Sequence, residues 1–251
     1  GICLGPNNYL GRAYQLVPVA ITVEGANILT RSMIIFGQGA IRGHPYVLRE
    51  LETSRMSDAE QAAEQFDGLL WEHVSFSAMN AARSLVLGIS GGRGTTVPGA
   101  REVQRYYQQM NRFAAAFALL ADIAMMVMGG ELKRKEKLSA RLGDVLSNLY
   151  LSSAALKRYE DDGQHQADLP FLLWSLHDAF FKLQIAMDGI LANFPNRPLA
   201  WILRRLVFPK GLTLEAPSDA MGHKVAKLML EPSEARDRLT RGIYSPRRED
   251  D

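Results

Sequence analysis

Cysteine is nearly absent, with Cys3 the only one in 251 residues. An internal disulfide is excluded, and a lone thiol suits a reducing compartment, where packing rather than cross-linking holds a fold. Charge of one sign is missing as well. The 29 Lys and Arg against 27 Asp and Glu leave a net charge of +2, so no overall field draws the chain to nucleic acid, and any electrostatic role must be local. Metal-ligand spacing is missing: none of His44, His73, His165, His177 or His223 has a glutamate three residues before it. Helical bundles hold paired iron with Glu-x-x-His motifs, so no metal is expected. A membrane-length apolar run is missing too. Residues 113–128 are almost entirely apolar but shorter than a span, and they contain Asp122. That stretch reads as a buried core helix in which Asp122 requires a partner such as an arginine or a hydroxyl.

Two short motifs also lack the context their chemistry needs. Gly88-Ile89-Ser90-Gly91-Gly92 has the five-residue pattern of a nucleophile elbow, but helix rather than strand precedes it and a loop follows it. The same glycines lack the Gly-Lys-Ser/Thr ending of a phosphate-binding loop. The stretch from Gly88 to Gly99 reads as a connection between helices.

What the chain does have is helical periodicity. Its 47% hydrophobic and 22% charged composition is that of a globular protein, long enough for one large or two moderate domains. Ser57 and Glu60 fit a capping box ahead of Phe66, Leu69, Leu70, His73, Val74, Ala81 and Leu85. A long helix is predicted from Arg101 to Met128 with Val103, Met110, Phe113, Phe117 and Leu120 inward, broken by Gly129-Gly130. Another carries Leu138 to Leu156. A further one, capped by Asp168 with Pro170 near its start, runs to Phe194-Pro195. Shorter pieces follow over 199–207 and 218–230, and the last residues from Ser245 should fray. The expected fold is all-α, a helical bundle, with a polar boundary after residue 48 that divides 1–48 from 49–251.

Near the start, an apolar segment turns into a helix at Glu24. Val17-Pro18-Val19-Ala20-Ile21-Thr22 favours extended structure. Ala26, Leu29, Met33, Phe36 and Ala40 then recur at helical spacing until Gly43-His44-Pro45. A carboxylate at a helix entrance is favoured by the unpaired amides and the dipole there, which is sufficient reason for Glu24 on spacing alone.

The residues Pro6-Asn7-Asn8-Tyr9 and Val23-Glu24-Gly25-Ala26-Asn27-Ile28-Leu29-Thr30-Arg31-Ser32-Met33 resemble the end of the catalytic region of acyl-CoA dehydrogenases, most closely the long bacterial FadE type. The resemblance continues through Leu85-Val86-Leu87-Gly88, Ser139-Ala140-Arg141-Leu142-Gly143-Asp144-Val145-Leu146-Ser147, Asn193-Phe194-Pro195-Asn196-Arg197 and Gly222-His223-Lys224-Val225-Ala226. It implies that 1–48 ends the catalytic helical domain, that 49–251 is the extra C-terminal helical domain, and that the sequence is part of a longer bacterial enzyme. Glu24 would be the catalytic base, taking the pro-R α-proton of an acyl-CoA thioester while the β-hydride passes to the flavin of bound FAD. Gly25 would lie against the cofactor, where the absence of a Cβ permits close approach. Val23, Ala26, Gln15 and Leu16 stand where many members have Tyr, Thr, Arg and Asp, so only Glu24 and Gly25 carry over. The resemblance further implies acyl-CoA as substrate, electron-transferring flavoprotein as acceptor, a homodimer, and residence in the bacterial cytoplasm. Trp201, Ile202, Leu206 and Phe208 beside Arg204, Arg205 and Lys210 form a face for packing against the rest of the enzyme, the favoured reading, or for lying on the inner membrane. The rival reading is a non-catalytic helical module that docks on a membrane or subunit. A piece of an enzyme would leave apolar surface uncovered around residues 1–45, whereas an autonomous module would not.

Overall fold

Residues 9–23 and 30–243 are described in the computed structural model, and every regular element among them is helical. Helix α1 spans Tyr9–Val23, and a π-helical segment, Thr30–Gln38, runs into the short α2, Gly39–Gly43. Then come α3 (Val47–Thr53), α4 (Ala59–Ser90), α5 (Arg101–Met128), α6 (Glu136–Asp161), α7 (Leu169–Ala192), α8 (Arg197–Val207), α9 (Asp219–Leu230) and α10 (Glu234–Leu239). The expectation of an all-α bundle is met.

The interior follows from the apolar faces of α5, α6 and α7. Val103, Phe113, Leu120 and Ala124 of α5 are sealed from solvent, as are Leu142, Val145 and Leu156 of α6 and Leu176, Leu183, Met187 and Ile190 of α7. These residues recur every three or four positions, so each helix turns a continuous stripe inward. Helices α6 and α7 pack along their length, α4 lies on the outer side of α5, and α8 closes the far end by touching α4, α5 and α7. With the turn that follows it, α5 forms a 33-residue stretch, Arg101–Lys133, long and apolar enough by composition to cross a membrane. Its place in the middle of the bundle accounts for that apolarity.

Several local expectations are corrected. Residues 17–22 are not extended: α1 continues through Pro18 to Val23. Intrinsic preferences of β-branched residues amount to tenths of a kcal/mol each, roughly, and are easily overridden. Asp58, not Ser57, caps α4, accepting from the amides of Glu60 and Gln61 at 3.1 and 3.2 Å. Asp168 does not cap α7 with its side chain; its carboxylate instead holds Arg238 of α10 through two bonds of 2.8 and 2.9 Å. Helix α10 itself had no visible signal, being only six residues long. The break after α5 is a 3-10 turn, Gly129–Lys133.

Candidate functional site

Glu24 and Gly25 lie outside the described residues, and the structure speaks to them through the segment that follows. Residues 30–38 rest on α6. Arg31 holds Asp144 with both ends of its guanidinium, Nε to Oδ1 at 2.5 Å and Nη2 to Oδ2. The Ser139 hydroxyl donates to the carbonyl of Ser32. Phe36 enters the core edge-on to Phe117, with ring centroids 6.2 Å apart. A Cβ on Gly143 would stand 3.0 Å from the Arg31 carbonyl, so the absence of a side chain lets the two backbones meet. Ser139, Gly143 and Asp144 all belong to the stretch 139–147 that stands out in the sequence. Here they form the seat of the segment just after the Glu24-Gly25 pair.

A second anchor lies where that segment ends. His44 and Tyr46 from the turn before α3, Glu50 of α3, His73, Phe76 and Ser77 of α4, and Asp122 of α5 meet in one buried cluster. His73 Nδ1 is 2.7 Å from Glu50 Oε1 and its Nε2 is 2.8 Å from Asp122 Oδ1. Ionised carboxylates only accept, so beside two ionised acids both ring nitrogens donate, and the raised pKa of His73 favours that imidazolium form. Ser77 donates its hydroxyl to the other oxygen of Asp122. Asp122, just 1% exposed, thus finds a hydroxyl as expected, with an imidazolium in place of an arginine. Tyr46 stacks on His73 with centroids 5.4 Å apart, and Phe76 stands edge-on to His44 and Tyr46. These rings exclude water, which strengthens the charge pairs they cover.

His44 behaves differently. Its Nδ1 accepts from the backbone amides of Tyr46 and Val47 at 3.2 and 3.3 Å, which serves the entrance of α3 and puts the proton of the neutral ring on Nε2. That buried Nε2 lies 3.6 Å from Asp122 Oδ1, without a hydrogen-bond partner. His44, His73 and Asp122 offer three ligand atoms within 4.8 Å of one another. A ligating histidine, however, donates its second ring nitrogen to a neighbour, whereas the second nitrogen of His44 accepts. The donor set is that of a hydrogen-bonded charge cluster.

The two histidines titrate in opposite directions. Burial lowers the pKa of His44, more than Asp122 restores it. Burial also opposes the charged form of His73, but the hydrogen bonds to Asp122 and Glu50 outweigh it and raise the pKa. His73 therefore contributes stability that is fully present below its unfolded value of about 6.5 and lost as pH rises through its folded value. His44 contributes stability present above about 6.5 and lost as pH falls through its lowered value. Thermal melts against pH are expected to peak near the ordinary histidine range, and His73→Gln should flatten the alkaline limb. A profile that keeps its alkaline limb in that variant would contradict the assignment.

His177 and the glycine loop have partners within the bundle. His177 meets the Tyr106 hydroxyl at 3.1 Å. Helix α4 runs through Gly88 to Ser90, so Ser90 is not an elbow nucleophile. Gly92, at φ 82°, comes so close to α5 that a Cβ would lie 2.3 Å from the Gln108 carbonyl. The Gly91 carbonyl accepts from Arg105. These glycines turn α4 into α5 and do not cradle a phosphate. Nor does the apolar cavity between α6, α7 and α10, about 330 Å³, lined by Leu151, Tyr159, Phe171 and Arg238, offer a dinucleotide site. That volume is at the lower end for a drug-sized ligand, and flavin adenine dinucleotide is far larger.

The described residues form an all-helical bundle that receives the segment 30–38 on α6 and holds a charge cluster where that segment leads into α3 and α4. The chain matches the family model for the C-terminal domain of bacterial-type acyl-CoA dehydrogenases over residues 41–251, and it belongs to that family. No solved structure matches it.

Proposed function

We propose that this chain is the C-terminal part of an FAD-dependent acyl-CoA dehydrogenase that converts medium- and long-chain acyl-CoA to trans-2-enoyl-CoA in fatty-acid β-oxidation. Residues 1–48 close the catalytic helical domain and 49–251 form the added helical domain. Glu24 takes the α-proton onto its carboxylate, and Gly25 permits the backbone to approach the cofactor. Bound FAD, held by the part of the enzyme around residues 24–25 and before, supplies the acceptor for the β-hydrogen and its electron pair. Electron-transferring flavoprotein receives the electrons, the enzyme is a homodimer, and it works in the bacterial cytoplasm. The outer face of α8, where Trp201 is 61% and Ile202 49% exposed with Arg205 over the indole at 5.3 Å, packs against the rest of the enzyme or meets the inner membrane, whereas Phe208, read as part of the same face, is buried in the core.

The observation that carries this reading is the family match beginning 17 positions beyond Glu24, in a chain whose 30–38 segment is fastened onto the matched domain. The exposed apolar residues of α1 support it against the autonomous-module alternative: Tyr14 is 78% exposed, Leu16 65% and Val17 55%. A lone domain rarely leaves such a surface open, whereas a domain packed on a catalytic half would cover it. The test is an assay of the enzyme carrying this chain with palmitoyl-CoA and an artificial electron acceptor. Stoichiometric trans-2-enoyl-CoA with bound FAD is the expected result. A pure enzyme with neither flavin nor acyl-CoA-dependent reduction would overturn the proposal.

A further inference from the structure

Arg112 sits midway along α5, 3% exposed, and its Nε and Nη2 have no hydrogen-bond partner. Only Nη1 reaches an acceptor, Gln109 Oε1 at 3.5 Å, and the guanidinium carbon lies 4.8 Å from the centre of the Phe113 ring. Two turns earlier on the same face is Arg105. Among the described residues no carboxylate lies within ion-pair distance of either guanidinium. Burial weakens the hold of Arg112 on its proton, and repulsion from Arg105 adds to this. Arg105 is in turn disfavoured by burial and by Arg93. Folded proteins keep a buried cation when something pairs with it. The described residues supply no acid within ion-pair distance of it, so an anion from outside would complete the pairing.

An opening for that anion is at hand. A cavity of about 580 Å³ between α5, α7 and the stretch 213–221 is lined by Arg105, Tyr106, Gln109, His177, Thr213 and Ser218. Gln109 belongs to both places, since it lines the cavity and accepts from Arg112. Glu102 and Glu215 also line it. The two orphaned donors of Arg112, Nε and Nη2, are one edge of the guanidinium fork, the edge that engages two oxygens of an oxyanion at once. A Gln109 whose Oε1 faces Arg112 keeps its amide protons for a third oxygen. We propose that Arg112, Arg105 and Gln109 form a binding site for a phosphate-type oxyanion that enters through this cavity. A carboxylate has two oxygens and would satisfy one fork; a phosphate group has enough for both guanidiniums and the amide.

The experiment is calorimetric titration of the full-length protein with inorganic phosphate at constant ionic strength, with acetate as the carboxylate control. Wild type is expected to bind phosphate and to melt higher in its presence. Arg112→Met should weaken binding by about ten- to a hundredfold, the range for hydrogen bonds to a charged group. It should also melt no lower than wild type in chloride, because the unpaired charge is gone. Arg105→Gln, on the half-buried wall of the cavity, should weaken binding without disturbing the core, so the comparison stands even where Arg112→Met folds poorly. No binding by wild type at millimolar phosphate, or equal binding by wild type and Arg105→Gln, would overturn the proposal. So would acetate binding as tightly as phosphate.

Discussion

Asp122→Ala is expected to destabilise the protein by about 3–5 kcal/mol, the cost of leaving one member of a buried ion pair without its partner. The carboxylate is 1% exposed and receives His73 Nε2 at 2.8 Å, with Ser77 on its other oxygen. Removing it strands an imidazolium held only by Glu50 at 2.7 Å, and leaves the Ser77 hydroxyl with the His73 carbonyl at 3.0 Å as its remaining acceptor. The consequence reaches beyond α5, because the cluster joins the turn at His44, α3, α4 and α5. The entry of the chain into the bundle should loosen together with the core. Urea unfolding at pH 6.5 measures the loss, and Asp122→Asn, which keeps the shape and one of the two accepting oxygens while removing charge, should lose less. A cycle with His73→Gln should show strong coupling between the two positions. A loss below about 1 kcal/mol in Asp122→Ala would place this cluster with the weak surface pairs.

The larger effect on activity is expected from Glu24→Gln. Removing an α-proton needs a carboxylate whose pKa approaches neutrality once substrate has displaced water, and a general base of this kind contributes about 10²- to 10⁴-fold. Gln preserves size and polar shape but cannot accept the proton, so substrate binding should survive while the chemical step slows. In free-energy terms the change removes roughly 3–5 kcal/mol of transition-state stabilisation. A residue that merely favoured a helix entrance would instead cost a few tenths to 1 kcal/mol, roughly, in stability and nothing in rate.

The fold was largely legible because its governing signal is local. Long stripes such as Val103, Phe113 and Leu120, or Leu142, Val145 and Leu156, declare a buried face at a period the sequence itself displays. Helix ends were legible where a cap is a single strong residue, as with Ser218, which accepts from the Met221 amide at 3.4 Å. They were misread where two candidates compete, as Ser57 and Asp58 do, or where the side chain is drawn to a distant partner, as Asp168 is to Arg238. The extended reading of 17–22 failed because β-branching and one proline are weak forces against the continuation of a helix.

The candidate site divides in the same way. Asp122 announced itself as a charge inside an apolar run, and so its need for a partner could be read. Which partners it takes could not, since His73 lies 49 positions away and Glu50 a further 23 from His73. Pairing at such separations is set by how α3, α4 and α5 stack. His44 looked like part of a helix stop, and it is one, but its second role in the cluster comes from tertiary packing. Arg112 carried no signal at all. An arginine amid Asn111, Phe113 and Ala114 reads as ordinary helix surface until the bundle closes over it.

Ser139, Gly143 and Asp144 of α6 hold residues 31 and 32, a few positions beyond the proposed base Glu24. The most direct measurement is anaerobic mixing of the Glu24→Gln enzyme with palmitoyl-CoA while flavin absorbance is followed. The account predicts that acyl-CoA still binds, with the affinity of wild type within a few fold, and that bleaching is slower by about 10²- to 10⁴-fold. Bleaching at the wild-type rate would contradict it and leave Glu24 as a residue that serves only the entrance of its helix.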